Sequence, residues 1–432
     1  PVTGSVGVDE TYTFQVSVTD LAGNSGNASY TWTVETVQPN VSINKAAGQA
    51  DPANSGPINF TVVFDEPVTD FLTGDVTLGG STGATTATVS EVLPNNGTTY
   101  NVAVSGMTSD GFVTASIAAG KAHDAAGNPN TPSTSGDNSV IYDTAAPTVI
   151  VAKAAGQADP ANSSPINFTV TFSEDVTGFS DASDVTLSGS AGATTVNITG
   201  GPKVYNVAVS GMTGNGAVTV SIPANAAQDL ASQPNSPSAG SVTVNYDATA
   251  PAVSIDKAAG QADPTKVSPV HFTVVFTEAV TGFATGDVTL GGTAGATTAA
   301  VSEILPNNGT TYDVAVSGMT TGGDIIVSVD ANKAQDASGN GNTPSTSGDN
   351  IVIFTFDTTT TITSDTPDPS LVGETVTFNY TVTVNGGSGS PSGNVTVSDG
   401  VNSCVGTVAA GSCTITFNTL GVKTVTAAYD GD

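Results

Sequence analysis

The octapeptide Lys-Ala-Ala-Gly-Gln-Ala-Asp-Pro occurs three times, beginning at Lys45, Lys153 and Lys257, and each copy opens a stretch that reads on in the same order. Successive copies lie about 105 residues apart, the length of one small domain. The chain therefore solves one folding problem three times, and each copy must bury its own core within about a hundred residues. One scaffold repeated in this way suits a spacer, stalk or fibre better than a catalyst, because a single active site has no use for three copies of its frame.

Within a copy the apolar residues recur with a period of two. Ile58, Phe60, Val62 and Phe64 alternate with Asn59, Thr61 and Val63; Tyr100, Val102 and Val104 alternate with Asn101, Ala103 and Ser105; Val113, Ala115 and Ile117 continue the pattern. This is the signature of strands with one buried face. Further short strands are expected at 41–43, at Val76 and Leu78, at Val89, Val92 and Leu93, and at Val140 and Tyr142. Turn signals fall between them at Asn95-Asn96-Gly97, Ser109-Asp110-Gly111 and Ala126-Gly127-Asn128. About seven strands at this spacing satisfy two antiparallel sheets packed face to face. Gly, Thr, Ser, Asn, Val and Ala dominate, and charged residues make up only 11%, so the alphabet for long amphipathic helices is missing. High net charge and few aromatics resemble disorder, but the alternation excludes it. The expected class is all-β, a tandem of sandwiches. The copies are joined through Tyr142-Asp143-Thr-Ala-Ala-Pro147 and Tyr246-Asp247-Ala-Thr-Ala-Pro251. Short proline-bearing linkers restrict domain angles, so the sandwiches are expected end to end, each adding roughly 35–40 Å.

The chain carries 38 acidic residues against 8 basic ones, a formal net charge of −30, and every basic residue is a lysine. That argues against a nucleic-acid partner, which needs Arg and Lys on phosphates, and against a polybasic membrane contact. No run approaches the roughly 18–20 apolar residues of a helical membrane span, so no insertion of this segment is expected.

The junction D-T-x-A-P, the stretch Phe172-Ser-Glu-Asp-Val-Thr-Gly-Phe179 and the D-x-A-G-N turn resemble bacterial Ig-like repeats of large surface proteins and adhesins over residues 1–357. Residues 358–432 resemble a second Ig-like type, through Ser398-Asp-Gly400, Cys404, Gly411-Ser-Cys413 and Ala428-Tyr-Asp-Gly431. The resemblance implies tandem Ig-like β-sandwiches at the cell surface, with a structural role and no catalysis. The expected parts are the end of one domain at 1–37, three repeats at 38–145, 146–249 and 250–357, and a different domain at 358–432 that stops a strand short. In the first part, strands are expected at 12–19 and 29–36 around Asp20–Asn24. The chain reads as a slice of a longer polypeptide, whose neighbouring Ig-like domains are its first partners. A stalk and a filament, in which other copies complete the end domains, are both open. An adhesive module for glycan or protein ligands is the alternative.

Four carboxylates recur in every copy: Glu66, Glu174 and Glu278; Asp75, Asp184 and Asp287; Asp124, Asp229 and Asp336; and the junction acids Asp143, Asp247 and Asp357. In an Ig-like sandwich the loops after the second strand and before the last one share a pole with the preceding domain's exit. Asp143 is therefore expected near Glu174, Asp184 and Asp229, and Asp247 near Glu278, Asp287 and Asp336. Glu35 takes the junction part for Glu66, Asp75 and Asp124. Such clusters repel unless neutralised, and Ca²⁺ accepts roughly 6–8 oxygen ligands in loose geometry; ordinary Asx-turn chemistry is the other account of the same acids. The junction into the last domain lacks matching acids and is expected to be metal-free.

Cys404 and Cys413 are expected to face each other across a hairpin turn at Val408-Ala409 and to form a disulfide, which points to an oxidising, extracellular setting. Lys45, Lys153 and Lys257 raise the option of an isopeptide bond to Asn138 or Asn350, although the second copy offers only Ala239-Gly240 there. The histidines, His123 and His271, are each confined to one copy and have no recurring Ser or Cys partner. Trp32 is expected in a core, and Gly79-Gly80 in a turn.

Overall fold

The computed structural model describes residues 10–387 and 389–431. The chain divides into two compact units. One runs through Gln157 and adds Pro165–Thr213 and Ala217–Val244; the other holds Ala158–Ser164, Gly214–Gly216 and the residues described from Asn245 on.

The first unit begins with a two-stranded hairpin, β1 (Glu10–Thr19) and β2 (Ser25–Val34). The second strand starts at Ser25, directly after the turn, because Asp20 closes that turn by itself: its Oδ1 accepts the Ala22 and Asn24 N–H groups, both at 2.9 Å. Tyr12 stacks on Trp32 with ring centroids 5.6 Å apart, yet Trp32 is 44% exposed. It is not a core residue, because no second sheet covers the hairpin's aromatic face among the described residues.

The first repeat supplies β3 (Val41–Lys45), β4 (Ile58–Phe64), β5 (Val76–Gly80), β6 (Thr86–Glu91), β7 (Thr99–Ser105), β8 (Gly111–Ile117) and β9 (Ser139–Tyr142). They form a four-stranded sheet in the order β3-β4-β7-β6 and a three-stranded sheet in the order β5-β8-β9. The alternation read from the sequence is the packing: Ile58, Phe60, Val62 and Phe64 are at most 2% exposed and share one core with Val113, Ala115, Ile117 and Val140 of the other sheet. The register sets Phe60 opposite Val102 and Val62 opposite Tyr100. β6 ends at Glu91, and Leu93 stands 81% exposed in the turn beyond it. Gly79-Gly80 ends β5 rather than forming a turn. A Cβ on Gly80, at φ +105°, would lie 1.9 Å from the Phe112 carbonyl oxygen, so that close approach requires glycine. The same sheet orders recur over Val149–Tyr246 and, in the second unit, over Val253–Phe354. Apart from a 3₁₀ turn at Ala182–Asp184, the described residues contain no helix.

Each copy packs three rings edge to face at one end of its core: Phe64, Phe71 and Tyr100; Phe172, Phe179 and Tyr205; Phe276, Phe283 and Tyr312. Their centroid separations run from 5.0 to 6.0 Å. This cluster fixes the loop that leaves β4. At the recurring lysines, Lys45 Nζ sits 2.9 Å from Asp51 and 3.1 Å from Asp137, and Lys257 repeats this with Asp263 and Asp349. The amides of Asn138 and Asn350 donate instead to the carbonyls of Ala115 and Val327. At Lys45 and Lys257 the arrangement is therefore an ion pair.

In the last domain one sheet holds Thr358–Thr366, Thr375–Val384 and Ser412–Thr416, and the other holds Ser403–Thr407, Asn394–Ser398 and Thr426–Tyr429. Cys404 and Cys413 are bonded, with Cα atoms 5.9 Å apart. They do not face each other across a hairpin. Cys404 pairs with Val397 in one sheet and Cys413 with Phe378 in the other, so the bridge joins the two sheets. The reason is the tight crossover at Val408–Gly411, where Gly411 N–H returns to the Thr407 carbonyl at 3.1 Å and the Tyr380 hydroxyl donates to that same carbonyl at 3.1 Å.

Phe60→Ala is expected to destabilise its repeat by about 3–5 kcal/mol, read from the denaturant midpoint of that repeat's unfolding transition. Cys404→Ser with Cys413→Ser should cost the last domain about 2.7 kcal/mol, the chain-entropy value for a ten-residue loop, while leaving the other transitions in place.

Candidate metal centre

Three loops bring carboxylates together, and each is held locally. Glu66 follows β4 at once. Its loop is pinned by the Val68 N–H on the Gly97 carbonyl (2.9 Å), the Thr69 N–H on the His123 carbonyl (3.0 Å) and the Tyr100 hydroxyl on the Val68 carbonyl (3.4 Å). Asp124 opens an Asx turn: its Oδ1 accepts the Ala126 and Asn128 N–H groups, both at 2.8 Å, and Gly127 supplies the left-handed residue at φ 89°. The third loop is the linker. The Asn128 amide donates to Asp124 Oδ2 (2.8 Å) and to the Glu35 carbonyl (3.1 Å), which ties the linker to the turn. Asn340 does the same between Asp336 Oδ2 and the Asp247 carbonyl, both at 2.9 Å.

The outcome is three acidic triads: Glu35, Glu66 and Asp124; Asp143, Glu174 and Asp229; and Asp247, Glu278 and Asp336. In each, one oxygen per residue lies within 4.8 Å of the others, with the Asp from the turn buried and its partners half-buried. Asp75, Asp184 and Asp287 are placed elsewhere, contrary to expectation. Asp75 Oδ2 accepts the Leu72 N–H, Asp184 Oδ2 the Ser180 and Asp181 N–H groups, and Asp287 Oδ2 the Ala284 N–H, at 2.8–2.9 Å. They cap their own turns, which is the commoner use of aspartate in a loop. Asp357 forms an ion pair with Lys266.

Two sets of residues escaped the sequence reading. Asp110 accepts the Thr144 N–H at 2.9 Å and its hydroxyl at 2.8 Å. Its counterpart Asn215 accepts the Ala248 N–H at 3.1 Å and donates to the Asp247 carboxylate and to Thr249 Oγ1. Both residues clasp a linker that carries a triad acid. The signal was available, since the position two residues after Ser-Gly-Met-Thr is Asp110, then Asn215, then Gly322 before the final junction. The second set is Asn128, Gln233 and Asn340, where the middle copy departs from its neighbours.

Burial raises the Glu66 carboxyl to about 7, helped by a hydrogen bond to Glu35 and by the charges of Glu35, Asp124 and Asp65. Glu174 is raised by burial and then by Asp143 and Asp229, and Glu278 by burial and then by Asp336 and Asp247. Burial pushes Asp124 up as well, but the bonds it accepts from the Asn128 side chain and from the turn's N–H groups outweigh this and lower it. An all-oxygen donor set of this kind can hold a hard divalent cation. One atom bears directly on that fit. Asp229 is 2% exposed and its Oδ2 is buried without a hydrogen-bond partner.

The sign of the pH dependence follows from Glu66. A folded-state value of about 7, above the ordinary 4.5, means that the fold favours the protonated form. That stabilisation is complete below about pH 4.5 and is lost as pH rises through 7. In chelator, the Tm of the protein is expected to fall between these limits, and Glu66→Gln should flatten that part of the profile.

No curated protein matches the chain. Among solved structures, the tetra-tandem repeat in the extending region of a large adhesion protein is 18% identical, covers 91% of this chain and 95% of its own, and superposes with a TM-score of 0.31. Domains 4–9 of the surface layer protein SbsC are 14% identical, covering 93% and 66%, with a TM-score of 0.18. An Escherichia coli alpha-2-macroglobulin fragment is 10% identical, covering 66% and 97%, with a TM-score of 0.19. These are likenesses of loosely superposed chains. The firmer match is to a family description: residues 247–353, which begin at the junction acid Asp247 and include Glu278 and Asp336, match a bacterial Ig-like domain.

Proposed function

We propose that this chain is a non-catalytic structural segment of a bacterial surface protein, a spacer whose repeat junctions are stiffened by Ca²⁺. The observation that carries the reading is the composition of the triads. In each, one acid comes from the linker (Glu35, Asp143 or Asp247) and two come from the repeat that follows it. A cation shared in this way fixes the linker to the next sandwich. Glu35, Glu66 and Asp124, with their counterparts, would hold the ion, and the ion would supply the positive charge that a chain without arginine cannot. The matched bacterial Ig-like domain and the inter-sheet disulfide support an extracellular setting.

Catalysis has no comparable support. A cleft of about 710 Å³ in the last domain is walled by Ile362, Val376, Phe378, Phe417 and Val425, with Asp365, Asp368 and Lys423 also in its lining and no histidine or cysteine. No helix is long and apolar enough to cross a membrane among the described residues. An adhesive copy would be marked by an exposed aromatic that its neighbours lack. Phe112 is 48% exposed in the first repeat, where the second and third have Ala217 and Asp324.

The test is thermal unfolding of the full chain in chelator and in Ca²⁺. Saturating Ca²⁺ at about 100 times its Kd should stabilise each linked repeat by about 2.7 kcal/mol and raise Tm by about 10 °C or more. It should also protect residues 143–147 and 247–251 from protease. An unchanged Tm with unchanged cleavage would overturn the proposal.

A further inference from the structure

The three triads are built alike, yet the middle one departs from the others at three positions of the same turn, Leu230, Ser232 and Gln233, of which the last two bear on the aspartate. In the first and third copies the turn reads Asp-Ala-Ala-Gly-Asn128 and Asp-Ala-Ser-Gly-Asn340; in the second it reads Asp-Leu-Ala-Ser-Gln233. The left-handed position is Gly127 and Gly339 in the former, and Ser232 at φ 66° in the latter. The consequence falls on the triad aspartate. Asn128 and Asn340 each place an amide N–H on the outer carboxylate oxygen, Asp124 Oδ2 and Asp336 Oδ2, while bridging to a linker carbonyl. Gln233 is one methylene longer. Its amide reaches the Thr144 carbonyl at 3.4 Å, its backbone N–H satisfies Asp229 Oδ1 at 2.8 Å, and Asp229 Oδ2 is left buried without a partner.

We infer that the triads form a graded set, in which the site of Asp143, Glu174 and Asp229 binds Ca²⁺ most tightly and Gln233 is the residue that makes it so. The inference rests on the calcium reading of the junctions. At the outer sites a cation must share the aspartate oxygen with an amide hydrogen, whose partial positive charge opposes it. At the middle site a desolvated carboxylate oxygen has no donor to displace. A buried unsatisfied acceptor bears its full desolvation cost in the absence of an ion, and the cation relieves that cost on binding. The middle site also differs from the others in its surrounding charges. Asp110 adds a negative charge near Glu174, while Lys203 adds a positive one that opposes it. The gain expected from one relieved oxygen is about tenfold in affinity.

Calcium titration of the full chain by isothermal calorimetry tests this. The expected isotherm has one tight site, filled about tenfold earlier than two weaker ones. Gln233→Asn, which installs the residue both other copies use in the same turn, should merge the tight site with the weaker pair at unchanged stoichiometry. Conversely, Asn128→Gln and Asn340→Gln should tighten their own sites, and Asp229→Asn should remove the tight step alone. Far-UV circular dichroism checks that each variant keeps the fold. Three equivalent sites in the parent protein, or a tight step that survives Gln233→Asn, would overturn the grading while leaving calcium at the junctions intact. No heat of binding at any site would overturn the calcium reading and the grading together.

Discussion

Carboxylates within 4.8 Å of one another repel, and a chain whose basic residues number eight lysines has little positive charge to set against that repulsion. The three linker junctions are organised around this constraint. Every triad is held by neutral donors: backbone N–H groups in the Asx turns and the amides of Asn128, Gln233 and Asn340. Hydrogen bonds fix the positions of the acids and leave most of their charge in place. The raised Glu66, Glu174 and Glu278 carboxyls are the electrostatic trace of that choice. The sandwiches beneath are built to withstand it. In the first copy the edge-to-face ring trio and the Tyr100 hydroxyl on the Val68 carbonyl fix the loop that carries Glu66.

Much of the fold was legible because a strand with one buried face writes its period directly into the sequence. Ile58 to Phe64 and Tyr100 to Val104 could be read without coordinates, and they pair in the register that the alternation demands. The misreadings share a cause, in that each concerned what lies across from a residue rather than along the chain. Trp32 follows the same period two, but period says nothing about whether a second layer covers the face. Cys404 and Cys413 are nine positions apart in either case, and only the crossover at Val408–Gly411 decides whether they share a sheet or join two.

The site was half legible for a related reason. Recurrence between copies marks residues that matter without separating a turn cap from a cluster member. Asp75, Asp184 and Asp287 recur as faithfully as Asp124, Asp229 and Asp336, because capping a turn constrains a position as strongly as lining a site does. The departures between copies were more informative. The exchange of Asn128 and Asn340 for Gln233 looks conservative on paper. In three dimensions it moves one amide from a carboxylate to a carbonyl and leaves Asp229 Oδ2 bare.

Another departure lies on the strands themselves. Asn59 accepts a cross-strand bond from Asn101 at 3.2 Å, and Asn167 accepts one from Asn206 at 3.2 Å; in the third copy the pair is His271 and Asp313, 3.0 Å apart. The first and third copies are otherwise nearly interchangeable across these strands, Thr99–Ser105 reading TYNVAVS and Thr311–Ser317 reading TYDVAVS. Tandem chains with such similar strands are prone to exchanging them while folding. A strand borrowed by the wrong copy would set His271 against Asn101, or Asn59 against Asp313, and either mismatch forfeits the matched pair. The histidine and its aspartate thus give the third copy a cross-strand pair that a strand from either other copy would not reproduce.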